Sequence, residues 1–325
     1  MLRIFRKEAD RILRIDLPDE SSDLVWIDLL RPTAEESGRV EKLLGLAIPS
    51  RDEMEEIELS SRLYSEDDAE FMTVTVLANL DTDEPAKTPV TFILKGATLV
   101  TVRHSEPKPF QAYMSRATRA RNAPCASGEH VMLGIIELLI DRVADTLERV
   151  GNEIDLISRD VFRNSNAKAN KKQGDLQSLV RHLGQKAELL TMIQESLVSI
   201  SRLVTYRTAT DMRPARSAKE VRQMIKLIQR DALSLGDHAR ALTARINFLL
   251  DATLGLINLE QNQIIKIFSV AAVVFLPPTL VASVYGMNFA IMPELSWKLG
   301  YPFAIGLMAL SALLPFLYFK RRGWL

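Results

Sequence analysis

The 325-residue chain holds a single cysteine, Cys125, so no disulfide closes within it and no thiolate metal cluster forms. Its four histidines, His104, His130, His182 and His238, stand far apart and show no H-x-x-x-H spacing; they read as surface residues rather than metal ligands. Net charge is absent as well. The 41 basic and 41 acidic residues cancel, which argues against a nucleic-acid partner. No G-x-x-x-x-G-K-[ST] run supplies a nucleotide phosphate loop. The amino-terminal Met1-Leu2-Arg3-Ile4-Phe5-Arg6 lacks the long apolar run of a secretory signal. The residues ahead of 264 are therefore expected to stay in the cytoplasm. No nucleophile–base pair stands out, so an enzyme is not expected.

Two stretches do have what a membrane requires. Residues 267–284 carry no charge, and neither do 301–319. At 1.5 Å per residue, about 20 residues cross a hydrocarbon core of about 30 Å. The assigned spans are 264–285 and 301–319, joined by a loop over 286–300 and followed by a basic tail over 320–325. Tyr285, Trp297 and Tyr301 fall where interfacial aromatic residues belong. Lys266 opens the first span and Lys320-Arg321-Arg322 closes the second. Positive charge favours the inner side, which puts both termini in the cytoplasm and the loop outside. The competing expectation, a buried helical hairpin of a soluble protein, leaves the basic flanks unexplained.

The first span is polar along one edge. Asn262, Ile265, Ser269, Ala272, Leu276, Thr279 and Ser283 repeat at three-four spacing and so share one helix face. Hydrogen bonding between membrane helices is one use for such residues. Lining a pore is the other, and two spans per chain cannot enclose a pore without further copies. The seam has no Asp or Glu. Amide and hydroxyl oxygens accept hydrogen bonds from the water shell of a cation such as Mg2+, which dehydrates reluctantly, and bind weakly enough to let it pass. Ile265 and Leu276 on the same seam would close a pore by dewetting. Pro277-Pro278 remove backbone donors in the outer third. The membrane potential drives a divalent cation inward by about 4.6 kcal/mol per 100 mV, so no nucleotide site is needed.

Upstream, an unbroken three-four pattern from Val221 through Ile246 to Leu256 predicts one helix from about 218 to 284, on the order of 100 Å long. Packing within the chain and packing between copies both satisfy its apolar seam. This stalk is assigned to 211–263, and a helical hairpin to 126–210. The hairpin's arms run over 129–162 and 175–206, with a polar link over 164–174. The acidic faces of these arms are solvated or draw cations by their field. Residues 1–125 read as an α/β domain. Strand-like runs occur at 25–29, 71–77, 90–94 and 99–102, with a hairpin turn at Lys95-Gly96-Ala97-Thr98. Thr33-Ala34-Glu35-Glu36 and Ser50-Arg51-Asp52-Glu53 match the capping box and should each open a helix. Glu66-Asp67-Asp68 reads as a solvated acidic loop.

Tyr285-Gly286-Met287-Asn288-Phe289 between the spans, followed by Met292-Pro293-Glu294-Leu295 and the basic terminus, resembles the CorA family of magnesium transporters. Glu260-Gln261-Asn262, Ile264 to Ser269, Val274 to Ser283, Gly300-Tyr301-Pro302 and Trp324-Leu325 extend the likeness, which looks proteobacterial. The resemblance implies an α/β cytoplasmic domain, long helices and two C-terminal transmembrane helices in a funnel-shaped homopentamer of the bacterial inner membrane, in contact with lipid. It implies passive influx of Mg2+, with Co2+ and Ni2+ also carried, gated by intracellular Mg2+. Gly286, Met287 and Asn288 would form the outer filter, and Asn262, Ser269, Thr279 and Ser283 the pore lining. Ile265 and Leu276 would be the hydrophobic gate, and Lys320, Arg321 and Arg322 a basic collar. Ala290 stands where close relatives often carry an acid; Glu294 remains to attract cations. The family's regulatory ligands have no motif match here, and Asp231 and Asp237 on the stalk are the nearest candidates. A zinc transporter of the ZntB type and a non-conducting membrane-anchored sensor remain alternatives.

Overall fold

The chain is described from a computed structural model covering residues 1–8, 11–15, 23–56, 58–82, 84–119, 125–163, 169–210, 219–288 and 292–324. It divides into two compact units. One comprises residues 1–162 and 181–248, the other 163–180 and 249–325.

The first unit begins with a seven-stranded sheet. Its strands are β1 (Leu2–Glu8), β2 (Arg11–Ile15), β3 (Leu24–Leu30), β4 (Leu63–Glu66), β5 (Ala69–Ala78), β6 (Ala86–Lys95) and β7 (Thr98–Arg103), in the spatial order β2-β1-β3-β7-β6-β5-β4. The four strand-like runs of the sequence are β3, β5, β6 and β7, and the 95–98 turn joins β6 to β7 in antiparallel register. The structure adds β1, β2 and β4. Only β3 and β7 pair in parallel among these strands, with Asp28 opposite Thr101. Asp67 and Asp68 form the β4–β5 turn with positive φ, so the acidic loop is a hairpin tip.

Helices cover both faces. On one side, α1 (Ala34–Leu44) and α2 (Arg51–Glu55) bring Val40 and Met54 onto Ile27, Leu29, Phe71, Ile93 and Val100. Both helices open with the expected capping boxes: Thr33 with Glu36, and Ser50 with Glu53. The backbone N–H of Ser50 and the Ser50 hydroxyl hold the Glu53 carboxyl below its ordinary range. A short helix, α3 (Leu59–Arg62), precedes β4. On the other side, α4 (Lys108–Arg119) sets Tyr113 edge-on to Trp26 at 5.8 Å and Phe110 against Phe92 at 6.3 Å. Beneath α4 lies a fully buried ion pair. Arg103 donates to both oxygens of Asp28 at 2.8 Å, and the Thr101 hydroxyl donates to Asp28 at 2.9 Å.

Three long helices follow: α5 (Gly128–Arg163), α6 (Ala169–Thr210) and α7 (Lys219–Tyr285). The polar link was expected over 164–174. Residues 164–168 lie outside the described residues, and α6 already begins at Ala169 and passes through Gly174. Lys, Gln and Ala are good helix formers, so a polar stretch at the end of a long arm extends the helix rather than breaking it. At the sheet end, Arg207 of α6 donates to Glu129 of α5 at 2.9 Å and to Glu70 of β5 at 3.2 Å. On α7, Val221, Ile225, Ile228, Ala232, Ala239, Leu242 and Ile246 are buried. The apolar seam of the stalk is thus covered within this one chain. Gln194–Thr243 and Arg245–Asp155 bonds tie it to α6 and α5.

In the second unit, α7 continues as one helix to Tyr285, through Pro277 and Pro278, as its unbroken pattern requires. A 3-10 turn (Pro293–Ser296) leads to α8 (Gly300–Arg321).

Candidate functional site

The outer half of α7 and the whole of α8 are long and apolar enough to cross a membrane, and almost none of their apolar surface is buried. Phe268 is 72% exposed, Phe275 69% and Leu280 65%. A core helix of a soluble protein would have these side chains covered. Left bare in water, they would make an apolar patch far larger than soluble monomers tolerate.

The exposure is uneven around α7. Val270 is buried, and Ala271, Val274, Pro277, Pro278, Val281 and Tyr285 are half-buried. At about 100° per residue they occupy one arc of the helix. Asn262, Ile265, Ser269, Ala272, Leu276, Thr279 and Ser283 are all exposed. Their mean direction lies roughly 180° from that arc by the same pitch. From Ala272 outward the seam foreseen in the sequence therefore sits on the side of the helix that its own chain leaves free, while over 261–269 every residue is exposed.

Its oxygens are free too. Among the described residues, the side chains of Asn262, Ser269 and Ser283 make no hydrogen bond. Thr279 donates its hydroxyl proton to the Phe275 carbonyl at 2.8 Å. That back-bond leaves the Thr279 oxygen facing outward as an acceptor, the polarity suited to the water shell of a cation. Pro277 and Pro278 lack N–H groups, so the carbonyls of Val273 and Val274 receive no helical donor from them.

At the outer end, the N–H of Gly286 donates to Ala282 O at 2.9 Å and closes the last turn. A Cβ at 286 would lie 3.1 Å from that same carbonyl, tighter than side-chain carbons ordinarily approach. Met287 and Asn288 follow, both exposed, and the Asn288 amide has no partner among the described residues. Phe289, Ala290 and Ile291 lie outside the described residues, as does the side chain of Glu294, so the expected loop acid and the departure at 290 have no geometry here. Trp297 packs on Phe303 at 5.8 Å, and Tyr301 is exposed on the first turn of α8.

At the C-terminal end, Lys320 and Arg321 occupy the last turn of α8, where cations complement the helix dipole. Arg322 folds back over Tyr318 with 5.6 Å to the ring centroid. The sequence reasoning assigned no role to Trp324, whose ring sits 5.9 Å from the Lys266 ammonium. A glycine and a tryptophan directly after a basic helix end were the available signal.

The two stalk acids differ. Asp237 is exposed and paired with Arg240 on the same helix. Asp231 is half-buried and contacts Arg230 at 3.3 Å. Burial first, then Asp145, with Asp231 adding a smaller share, holds the Asp141 carboxyl above its ordinary range against the pull of Arg116. Among the described residues no three His, Cys, Asp or Glu groups converge to hold a metal ion.

Comparison with known proteins agrees along the full length. A family model described as CorA-like Mg2+ transporter protein matches residues 21–321. A magnesium transport protein CorA from Pasteurella multocida is 35% identical over 327 residues, covering all of both chains. One from Escherichia coli K12 is 36% identical over 329 residues with the same coverage. Among solved structures, the complete CorA magnesium transporter of Methanocaldococcus jannaschii superposes with a TM-score of 0.80 at 18% identity, over 100% of this chain and 99% of that one. The cytoplasmic domain of a Vibrio parahaemolyticus ZntB gives 0.56 at 13% identity, over 79% of this chain and 97% of that one, which is a likeness of fold alone.

Proposed function

The chain belongs to the family of CorA-like Mg2+ transporter proteins, and on that premise we propose that it carries Mg2+ passively into the cell through a pore assembled from several copies. The single observation that carries the mechanism is the exposed seam of α7, whose outer oxygens, on Thr279 and Ser283, face away from the part of the helix that its own chain covers. Two spans cannot surround an aqueous path. Five copies, as in the homopentamer the resemblance implies, would turn each seam residue into a ring. Asn262, Ser269, Thr279 and Ser283 then form rings of acceptors, and Ile265 and Leu276 form apolar constrictions. Gly286, Met287 and Asn288 meet the hydrated ion first, with Glu294 in the loop beside them. Lys320, Arg321 and Arg322 surround the inner mouth. The neutral lining accepts hydrogen bonds from coordinated water and leaves the ion its shell, so each step costs little and release is fast. Both termini lie in the cytoplasm, since Lys266 and the 320–322 cluster mark one side of the membrane.

Regulation by intracellular Mg2+ is part of this reading. Of the two stalk acids, Asp231, whose charge acts on Asp141 of α5, is the better candidate for a cation site completed by another copy; Asp237 pairs with Arg240 on its own helix. Co2+ and Ni2+, with similar hydration, are further cargo.

The test is Mg2+ entry into liposomes loaded with a fluorescent indicator. Asn288→Ala and Gly286→Ala are expected to abolish entry while the oligomer keeps its size in detergent. Undiminished entry in both variants overturns the filter assignment. Competition by Zn2+ stronger than by Co2+ would favour a zinc transporter of the same fold.

A further inference from the structure

The last residues of the chain build a defined knot. Gly323 adopts a left-handed conformation with φ of 69°. Its N–H donates to Lys320 O at 3.2 Å, and the N–H of Trp324 reaches back to Phe319 O at 3.1 Å. The Trp324 ring then packs on Phe319 with centroids 5.2 Å apart. These are the two reverse hydrogen bonds and the apolar contact of a Schellman stop, with glycine at the position where a side chain would be strained. The knot fixes where the indole goes, and it goes to α7: the Lys266 ammonium lies 5.9 Å from the Trp324 ring centroid. That distance is within cation–π reach of about 6 Å.

Lys266 follows Ile265 directly, three residues before Ser269 and four after Asn262. It thus belongs to the turn of α7 that carries the inner acceptors and the inner apolar constriction. A helix with its side chains is about 10–12 Å across, so a 30° rotation about its axis sweeps a side-chain position by roughly 3 Å. Such a rotation would carry Lys266 out of reach of the indole.

We propose that Trp324 is a positioning residue for ion passage: held by the Gly323 knot, it clasps Lys266 and fixes the rotational register of the inner turn of α7 against the end of α8. The clasp rests on the pore reading above, because its consequence is the presentation of Ile265 and Asn262 to the ion path. Two simpler roles make different predictions. If Trp324 only anchors α8 at the membrane surface, its loss acts independently of Lys266. If Lys266 matters only as a charge that repels cations, Trp324 is dispensable.

The experiment is a double-mutant cycle on the full chain in liposomes, reading initial Mg2+ influx and its dependence on internal Mg2+. A cation–π contact of ordinary strength predicts roughly two- to five-fold changes. Trp324→Ala and Lys266→Met should each change the rate by about that factor in the same direction, and the double variant by no more than either alone. Trp324→Phe and Lys266→Arg, which keep a ring and a cation, should stay near wild type. Gly323→Ala leaves both partners in place, strains the knot and should act in the same direction; with Lys266→Met it carries the test should Trp324→Ala fail to assemble. Independent multiplication of the two single effects, an effect of Lys266→Met alone, or rates within 1.5-fold of wild type (roughly, below the weakest such contact) in Trp324→Ala and Gly323→Ala overturns the clasp. Undiminished influx in both Asn288→Ala and Gly286→Ala counts instead against the pore-and-filter reading beneath it.

Discussion

Gly128 has the closest backbone contacts of the described glycines in the first unit, and its replacement by alanine tests the packing there directly. A Cβ built there would stand 2.3 Å from the Leu99 nitrogen, 2.6 Å from the Thr98 carbonyl carbon and 2.9 Å from the Ala97 oxygen. All three are backbone atoms of the β6–β7 hairpin, so no side chain can swing aside. Gly128 also donates its N–H to Ala97 O at 2.6 Å, which docks the start of α5 on that turn. Relieving the closest contact to about 3.5 Å moves the helix start back by roughly 1 Å. That shift stretches the docking bond past the usual limit of about 3.2 Å and loosens the neighbouring Glu129–Arg207 pair. Overpacking costs about 1–3 kcal/mol and a lost hydrogen bond about 0.5–1.5, so the middle of the range is about 3 kcal/mol. For a unit of this size each kcal/mol moves the midpoint by roughly 2–4 °C. Gly128→Ala should therefore melt roughly 6–12 °C lower by circular dichroism. Amide exchange should quicken at residues 97–99 and in the first turn of α5. A melting point within 2 °C of wild type (about 1 kcal/mol or less), with unchanged exchange at the hairpin, refutes the reasoning.

The buried pair of Asp28 and Arg103 makes a second prediction. Asp28→Ala strands a guanidinium that is fully buried and should cost about 3–5 kcal/mol, read as a lower denaturation midpoint; the double replacement Asp28→Ala with Arg103→Met should recover part of the loss. A third concerns the driving force. A potential of 100 mV acts on a divalent cation with about 4.6 kcal/mol, so liposomes clamped by a potassium gradient should accumulate Mg2+ on the order of 10^3-fold. Accumulation that ignores the imposed potential would point to a coupled rather than a passive mechanism.

The membrane part was legible because its signals are local. An uncharged run reports a span, and three-four spacing reports a face, so the seam from Asn262 to Ser283 is readable in the sequence itself. The two capping boxes were equally plain, since Thr33 with Glu36 and Ser50 with Glu53 act over three residues. Strands β1 and β2 were not legible. Leu2–Glu8 and Arg11–Ile15 alternate with charges at the edge of the sheet, and their hydrophobic signal is weak until β3 pairs with β1. The Asp28–Arg103 pair joins residues 75 apart in sequence through the parallel register of β3 and β7, which no local pattern encodes. The Lys266–Trp324 contact was missed for the same reason: each end is visible, and only the hairpin of α7 and α8 brings them together. In the seam, the sequence marked the polar positions but not the proton of Thr279, whose direction depends on a backbone carbonyl four residues back.

Helix α7 runs from Lys219 to Tyr285 without a loop, and that continuity has a thermodynamic consequence. A loop would absorb a twist; a hydrogen-bonded helix passes it on unless proline or glycine lets it bend. Its 219–276 portion contains no proline, and Gly236 and Gly255 are the two bend-tolerant positions between Asp231 and Asn262; the stretch that carries Asp231 and the stretch that carries Asn262 and Ile265 are joined by continuous helix. Coupling through such an element is reciprocal. Whatever bias a cation near Asp231 imposes on the inner turn, the state of that turn imposes equally on the cation's affinity. If a cation binds near Asp231 as proposed, its affinity should accordingly differ between conducting states, so that its threshold would follow the pore's own activity rather than stay a fixed constant.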